Sequence, residues 1–417
     1  MKYGCIGEHL GHSFSREIHA AFADYPYELC ELAPSELRDF MRRADFSAIN
    51  VTIPYKSAVM PYLDGIDDSA LQIGAVNTVV NRGGRLYGYN TDFFGMRRLL
   101  AHAGISLKGK KVLILGTGGT SKTAFAVAEA EGAVKIIKAS RKETEGAVLY
   151  TDVYKYHTDA EIIINTTPVG MYPNIFDTPI DISRFDKLSG VVDAIYNPLK
   201  TPLVLAAERR GIPAMGGLFM LVAQAVRASE YFLDTEYDAT LTDRVYEKIA
   251  ASKRNIVLIG MPASGKSTVG KIISDRLCRP LIDTDAEVER VANRKIPDIF
   301  ASEGEGYFRD LEADVTKEAA ARSASVIATG GGLPKRAENI YALSENGRIY
   351  FIDRPLASLI PTKDRPLSST REAIEARYRE RYGIYCAACD VRIDATGDAQ
   401  SIADMILTDF FKNTLDI

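Results

Sequence analysis

A chain of 417 residues with 46% hydrophobic and 25% charged side chains is too long for one ordinary core, and it has the composition of a soluble protein of two or three domains. Its 51 basic and 55 acidic side chains are interspersed to a formal charge of −4, which argues against a nucleic-acid or membrane surface and leaves anionic substrates to locally placed Arg and Lys. No apolar run approaches the roughly 18 residues of a membrane span. The first ten residues lack a signal-peptide core, and five scattered cysteines fit a reducing compartment, so a cytoplasmic protein with small-molecule partners is expected.

Short β-branched runs alternate with helical periods along the chain, the pattern of an α/β fold. Strands are predicted at 49–53, 111–115, 161–165 and 191–194, and again at 255–259, 326–328 and 348–352. Two of these run straight into glycine-rich loops, near residues 116 and 260. Each is the expected start of a nucleotide-binding domain. The charged stretch 246–255 has no Gly or Pro and marks a short, partly helical linker. A softer boundary falls near residue 101. The expected domains are therefore 1–100, 101–246 and 255–417, with helices near 218–246 returning to the first.

The first loop reads Gly116-Thr-Gly118-Gly119-Thr120-Ser121 and opens a helical stretch at 122–131. A site for NAD places an acid about 20 residues further on, to hold the ribose diol. Here Ala139 is followed by Ser140, Arg141 and Lys142, a hydroxyl and two cations that suit a 2′-phosphate, so NADP(H) is the expected cofactor. A solvated loop would explain the charges but not the missing acid.

Around this loop stand His12-Ser13-Phe-Ser15, Asn50-Val-Thr52-Ile-Pro-Tyr-Lys56, Gly74-Ala-Val-Asn77-Thr and Gly88-Tyr-Asn90-Thr-Asp92. Downstream come Asn165-Thr-Thr-Pro168, Asp193-Ala-Ile-Tyr196 and Gly217-Leu-Phe-Met220-Leu-Val-Ala-Gln224. In order and spacing these strings resemble shikimate dehydrogenase across the whole segment. The resemblance implies a substrate domain followed by a Rossmann domain, with Lys56 and Asp92 as the catalytic pair. It also implies Ser13 and Ser15 on the substrate carboxylate, and Thr52, Asn77, Tyr196 and Gln224 on ring hydroxyls. Gly116, Gly118, Gly119, Thr120, Ser121, Ser140, Arg141, Lys142, Gly217 and Met220 would hold NADP. Phe219 stands where the family often has a small residue, which would crowd the nicotinamide end. An alternative keeps the fold and shifts the substrate to quinate or a related hydroxy acid; Ser15 and Arg141 argue against it.

The second loop, Gly260-Met-Pro-Ala263-Ser264-Gly265-Lys266-Ser267-Thr268, satisfies GxxxxGK[ST] between a predicted strand and a helix. Its glycines turn backbone N–H groups toward phosphate, Lys266 reaches the β- and γ-oxygens of ATP, and Ser267 offers a hydroxyl to Mg²⁺. Asp283 and Asp285 follow at the end of a short predicted strand, spaced to share a face. Next come Phe308-Arg309-Asp310 at a helix start, Thr329-Gly330-Gly331-Gly332, Asp364-Arg365-Pro366-Leu367 and Glu380-Arg381-Tyr382. This ordered set resembles shikimate kinase over residues 255–417 and implies a P-loop kinase domain with a parallel sheet. By that resemblance Asp283 joins Ser267 on Mg²⁺, and Asp285 takes the proton of the attacking hydroxyl. Arg309 and Arg381 clamp the acceptor carboxylate, Gly331 and Gly332 admit its ring, and Arg365 closes over the phosphates with Lys266. The lid around Arg365 is about three residues shorter than usual, and Pro361 takes the place of an adenine-stacking arginine.

Together the two halves imply reduction of 3-dehydroshikimate with NADPH, then phosphorylation of shikimate with ATP, within chorismate biosynthesis. From another class, one half could be a non-catalytic regulatory module; the intact Lys56, Asp92, Lys266 and Asp285 argue against that. The remaining motif, Cys386-x-x-Cys389, lacks the second pair of a zinc ribbon and reads as two small residues in a packed turn or helix.

Overall fold

The computed structural model describes residues 1–11, 13–359 and 370–412. The chain divides into two compact units, Met1–Ile249 and Ala250–Ile417. The break falls inside the helix Leu241–Lys253, so the stretch expected as a linker is helical almost to the first strand of the second unit.

The first unit holds two six-stranded sheets. In the first sheet are β1 (Tyr3–Gly7), β2 (Tyr27–Glu31), β3 (Ala48–Val51), β4 (Gly65–Ile66), β5 (Thr78–Arg82) and β6 (Arg85–Tyr89), in the order β2-β1-β3-β5-β6-β4. It is mixed: β3–β5 and β5–β6 pair antiparallel, the rest parallel. The second is all parallel. It contains β7 (Lys111–Leu115), β8 (Lys135–Ser140), β9 (Val148–Leu149), β10 (Ile162–Asn165), β11 (Gly190–Asp193) and β12 (Ala214–Met215), in the order β12-β11-β10-β7-β8-β9. β7, β10 and β11 are almost continuously buried apolar runs, as strands covered on both faces must be. The order reverses at β7, so the first glycine loop leaves the sheet at the crevice where dinucleotides bind in such folds.

The helix Leu218–Leu233 joins the two sheets. Phe219, Met220 and Ala223 pack into the core around Met96, Leu99 and Ile114, whereas Ala228 and Phe232 pack under Tyr3, Cys5, Ala48 and Val80. A large-to-small change at the fully buried Phe219 would cost about 3–5 kcal/mol.

The second unit has one parallel sheet of β13 (Asn255–Ile259), β14 (Leu281–Asp283), β15 (Val326–Ala328), β16 (Gly347–Asp353) and β17 (Val391–Asp394), in the order β14-β15-β13-β16-β17. β13 shows the period of two plainly. Val257 and Ile259 join one core with Ile327, Ile349 and Phe351; Ile256 and Leu258 join the other with Val326, Tyr350 and Ile352. β13 lies between β15 and β16, so the second glycine loop also leaves at a switch point.

Candidate active sites

In the first unit, the turn after β3 is anchored by the buried Tyr55 and Val59, and the Tyr55 hydroxyl donates to the Leu32 carbonyl. This directs Lys56 to Asp92, with Nζ donating to Oδ2 at 2.5 Å. Asp92 sits in the first turn of the helix Thr91–His102. Its N-cap Asn90 accepts from the N–H groups of Asp92 (3.0 Å) and Phe93 (3.3 Å), a cap that fixes where the carboxylate emerges. The Asn90 amide in turn donates to the Ala75 carbonyl at 2.8 Å.

Asn77 lies beside this pair. Its Oδ1 accepts from the Thr91 N–H at 2.8 Å, and its Nδ2 donates to Thr91 Oγ1 (3.1 Å) and Gln224 Oε1 (3.4 Å). The structure thus gathers Lys56, Asp92, Asn77 and Gln224. Ser13 and Ser15 hydroxyls are 3.0 Å apart, and the ring of Phe14 between them lies 5.1 Å from that of Tyr196. Burial raises the Tyr196 hydroxyl above its ordinary range, which keeps it a neutral donor. β3 stops at Val51, short of the expected 53, and Thr52 follows it with its N–H on the Ile6 carbonyl. His12 lies outside the described residues.

Three supporting residues, Tyr27, Asn50 and Thr91, were not assigned a role from sequence. Asn50 accepts from the Tyr27 hydroxyl at 2.7 Å and donates to the Asn77 carbonyl (3.3 Å) and Thr78 Oγ1 (3.1 Å). Thr91 fixes which way the Asn77 amide faces. The available signal was a polar residue inside the apolar run of β3.

At the cofactor loop, Gly116 has φ +108° and a Cβ there would stand 2.8 Å from Thr166 Oγ1, so only glycine fits. The helix begins at Gly119 and is capped by Gly118, three residues earlier than predicted; Thr120 and Ser121 lie in its first turn. Ser121 Oγ donates to the Gly116 carbonyl at 2.8 Å, closing the loop on itself. Ser140 ends β8 and accepts from the Lys142 N–H at 3.3 Å, while Arg141 and Lys142 are exposed beyond it. Gly217 caps Leu218–Leu233, and its N–H reaches the Ile195 carbonyl at 2.7 Å. Asp193, buried where it binds Thr201 (2.7 Å), Asn165 (3.0 Å) and the Ile195 N–H (3.0 Å), is pushed up to about 6 by burial. Phe219 is spent on packing: its ring stacks 4.0 Å from His102 and 5.3 Å from Tyr246, in the core. The crowding expected from its bulk is taken up among those helices.

In the second unit, Gly260, Ala263 and Gly265 all have positive φ and bend the loop into the helix Lys266–Leu277. Ser264 is fully buried within the loop, and Thr268 follows in the helix. Lys266 Nζ bonds the carbonyls of Gly260 and Met261, each at 2.9 Å. Ser267 Oγ donates to Asp283 Oδ2 at 2.6 Å; Asp283 Oδ1 caps the next helix, accepting from the N–H groups of Asp285 and Ala286. Asp283 is therefore both a cap and a neighbour of the phosphate loop. Only Asp283 belongs to β14. Asp285 lies in the first turn of the helix Thr284–Ala292, so cap geometry and not strand alternation aims it.

Two cavities meet here. One of about 140 Å³ is lined by Lys266, Ser267, Thr268 and Thr329. The other, about 640 Å³, is lined by Arg309, Arg377, Arg381, Gly331, Gly332 and an apolar wall including Phe300 and Phe308. Asp283 and Asp285 line both. Arg309 is in the second turn of Gly304–Ala321, not at its start, and its guanidinium is held by Glu312 (2.7 Å) and Glu305 (3.2 Å). Glu312, missed from sequence, is raised by burial and by Asp285 and lowered by Arg309. Arg381 donates to the Gly331 carbonyl at 3.0 Å, beside the Tyr385 hydroxyl on the same oxygen. A Cβ on Gly332 would stand 2.5 Å from the Arg309 guanidinium, so the glycines do make room at this wall. Arg365 and Pro361 lie outside the described residues.

The Ser267 hydroxyl and Asp283 carboxylate offer oxygen donors at the phosphate end, as Mg²⁺ requires alongside phosphate and water. Cys386 lies in the last turn of the helix Arg371–Ala388 and Cys389 caps its end, with the Cys389 thiol on the Cys386 carbonyl at 3.6 Å. Among the described residues no group of three or more His, Cys, Asp or Glu could hold a metal, and no helix is long and apolar enough to cross a membrane.

Comparison with known proteins matches this geometry. The family model "Shikimate dehydrogenase substrate binding domain" matches residues 5–79, and "Shikimate kinase" matches residues 262–410. Shikimate dehydrogenase (NADP(+)) of Clostridium beijerinckii is 36% identical over 259 residues, covering 58% of this chain and 96% of the relative. That of Halothermothrix orenii is 38% identical over 257 residues, covering 54% and 88%. Among solved structures, shikimate dehydrogenase 1 from Peptoclostridium difficile superposes with a TM-score of 0.55 at 35% identity, over 60% of this chain and 98% of that one. The Thermus thermophilus enzyme in complex with NADP(H) and shikimate gives 0.54 at 26%, over 60% and 99%. The chain belongs to the shikimate dehydrogenase family and carries a shikimate kinase domain after the dehydrogenase unit.

Proposed function

We propose that this chain catalyses two consecutive steps: NADPH-dependent reduction of 3-dehydroshikimate to shikimate, then ATP-dependent phosphorylation of shikimate to shikimate 3-phosphate. Both reactions are assigned to the cytoplasm, where NADPH and ATP are drawn. The observation that carries the reading is Asp285, which lines the phosphate-loop cavity and the arginine-walled cavity at once. A base at that junction reaches the acceptor hydroxyl as the hydroxyl faces phosphate.

In the dehydrogenase unit NADPH supplies the hydride equivalent. Lys56 delivers a proton from its ammonium to the carbonyl oxygen, and Asp92 holds that ammonium in place at 2.5 Å. Asn77, Gln224, Thr52 and Tyr196 read ring hydroxyls, since an unmatched hydroxyl would leave a buried partner unpaired. Ser13 and Ser15 take the carboxylate. Gly116, Gly118, Gly119, Thr120 and Ser121 cradle the pyrophosphate at a helix N-terminus, and Ser140, Arg141 and Lys142 hold the 2′-phosphate.

In the kinase unit the loop from Gly260 to Thr268 holds ATP. Lys266 leaves its two carbonyls for phosphate oxygens, Ser267 and Asp283 hold Mg²⁺, and Asp285 accepts the hydroxyl proton. Arg309 and Arg381 bind the shikimate carboxylate. Purified chain supplied with 3-dehydroshikimate, NADPH and MgATP is expected to oxidise NADPH and then form shikimate 3-phosphate. Folded chain lacking either step would reject the proposal.

A further inference from the structure

The phosphate loop is bordered by a cation that the roles above leave unused. β16 lies beside β13, so its C-terminal end comes up next to the loop that follows β13. Arg354 is the first residue after β16. Its Nε donates to the Ser264 carbonyl at 3.2 Å, and its Nη2 stands 3.9 Å from where a Cβ on Gly265 would be. Gly265 caps the helix Lys266–Leu277, where backbone N–H groups are offered to an anion.

The carboxylates nearby are committed elsewhere. Asp353, its chain neighbour, is held by Arg392 at 3.4 Å and by the Tyr382 hydroxyl at 3.0 Å. Asp283 serves Ser267 and a helix N-terminus. Among the described residues Arg354 makes no ion pair, and its single side-chain hydrogen bond, from Nε, leaves both terminal nitrogens as available donors. That one bond fixes the plane of the fork beside the anion cradle, the arrangement in which arginine recognises phosphate.

We propose that Arg354 is a nucleotide-binding residue whose guanidinium recognises the phosphate chain of ATP. It acts from the β16 side of the loop, across from Asp283 and Asp285 on the β14 side. The proposal rests on the assignment of ATP to the loop at Gly260–Ser267.

The test is Arg354→Met, which keeps the stem and removes the fork. The KM for MgATP is expected to rise about tenfold, and the inhibition constant of inorganic tripolyphosphate to rise by a similar factor. The KM for shikimate, the dehydrogenase activity and the unfolding midpoint of the ligand-free chain should stay as in the wild type. A KM for MgATP within twofold of the wild type overturns the proposal. So does a raised KM with unchanged tripolyphosphate inhibition, which would place Arg354 on the base. If Arg354→Met lowers the unfolding midpoint, Arg354→Lys decides. The charge is kept but the fork is lost, so the KM for MgATP and the tripolyphosphate inhibition constant should rise together, by less than the tenfold expected of Arg354→Met, and wild-type values for both overturn the proposal. A wild-type chain without shikimate-dependent ATP turnover would instead sink the kinase reading itself.

Discussion

The two units solve proton transfer differently. In the dehydrogenase unit the proposed acid–base group is already paired: Lys56 and Asp92 stand 2.5 Å apart, and the Asn90 cap fixes Asp92. In the kinase unit the groups proposed to work hold one another, neighbouring side chains or the backbone: Lys266 two carbonyls, Arg309 two glutamates, Arg381 a carbonyl, Ser267 an aspartate. The difference follows from the chemistry. Carbonyl reduction needs one proton delivered at one atom, which a preset ion pair does well. Phosphoryl transfer needs two substrates aligned and much negative charge neutralised, so its cations must exchange internal partners for phosphate and carboxylate oxygens.

The largest effects should separate the two sites cleanly. Lys56→Ala is expected to lower dehydrogenase kcat by about 10²–10⁴ while kinase turnover stays within twofold. Asp285→Asn should do the reverse on a similar scale, read by shikimate-dependent ADP release. Loss of both activities in either variant would break the division into two independent centres. A smaller effect sharpens the point about exchangeable partners. In Gly332→Ala the added Cβ meets an Arg309 guanidinium already tied to Glu312, and the KM for shikimate should rise about tenfold at near-normal KM for ATP.

The smallest effect concerns stability. Glu345 is fully buried in the kinase unit, neither carboxyl oxygen has a hydrogen-bond partner among the described residues, and burial pushes its pKa up to about 9 from 4.5. A carboxyl raised on folding favours the folded state below pH 4.5, and that contribution is lost as pH rises toward 9. Glu345→Gln should therefore raise the unfolding midpoint of the kinase unit by about 3–6 °C at pH 8. The gain should disappear near pH 4, and a gain independent of pH would show that the charge is not its cause.

Much of the site was legible in the chain. Strands 111–115, 255–259 and 326–328 fall where the β-branched runs placed them, because a strand buried on both faces must be apolar throughout. Both glycine loops were legible for a related reason: backbone that must approach a phosphate tolerates few residues other than glycine. Resemblance, not periodicity, brought Lys56 to Asp92, since nothing local to either residue encodes a contact across 36 positions.

Other features were decided by packing and capping. By strand periodicity Asp285 reads as the end of a strand, yet the Asp283 cap starts a helix first and turns the carboxylate into two cavities. Phe219 reads in sequence as bulk that would crowd the nicotinamide end; the partners that pack its ring, His102 and Tyr246, come from two other helices. Glu312 and Arg354 look like ordinary surface charges in sequence. Glu312 pairs with Arg309 three residues away on one helix, a local contact, but only the fold buries that pair and sets Arg354 against the phosphate loop. The sequence by itself determined which local segments become strands and phosphate loops, because those depend on short-range periodicity and backbone freedom. The tertiary structure decided which charges meet, because a charge's partner is chosen by the layers that burial brings together.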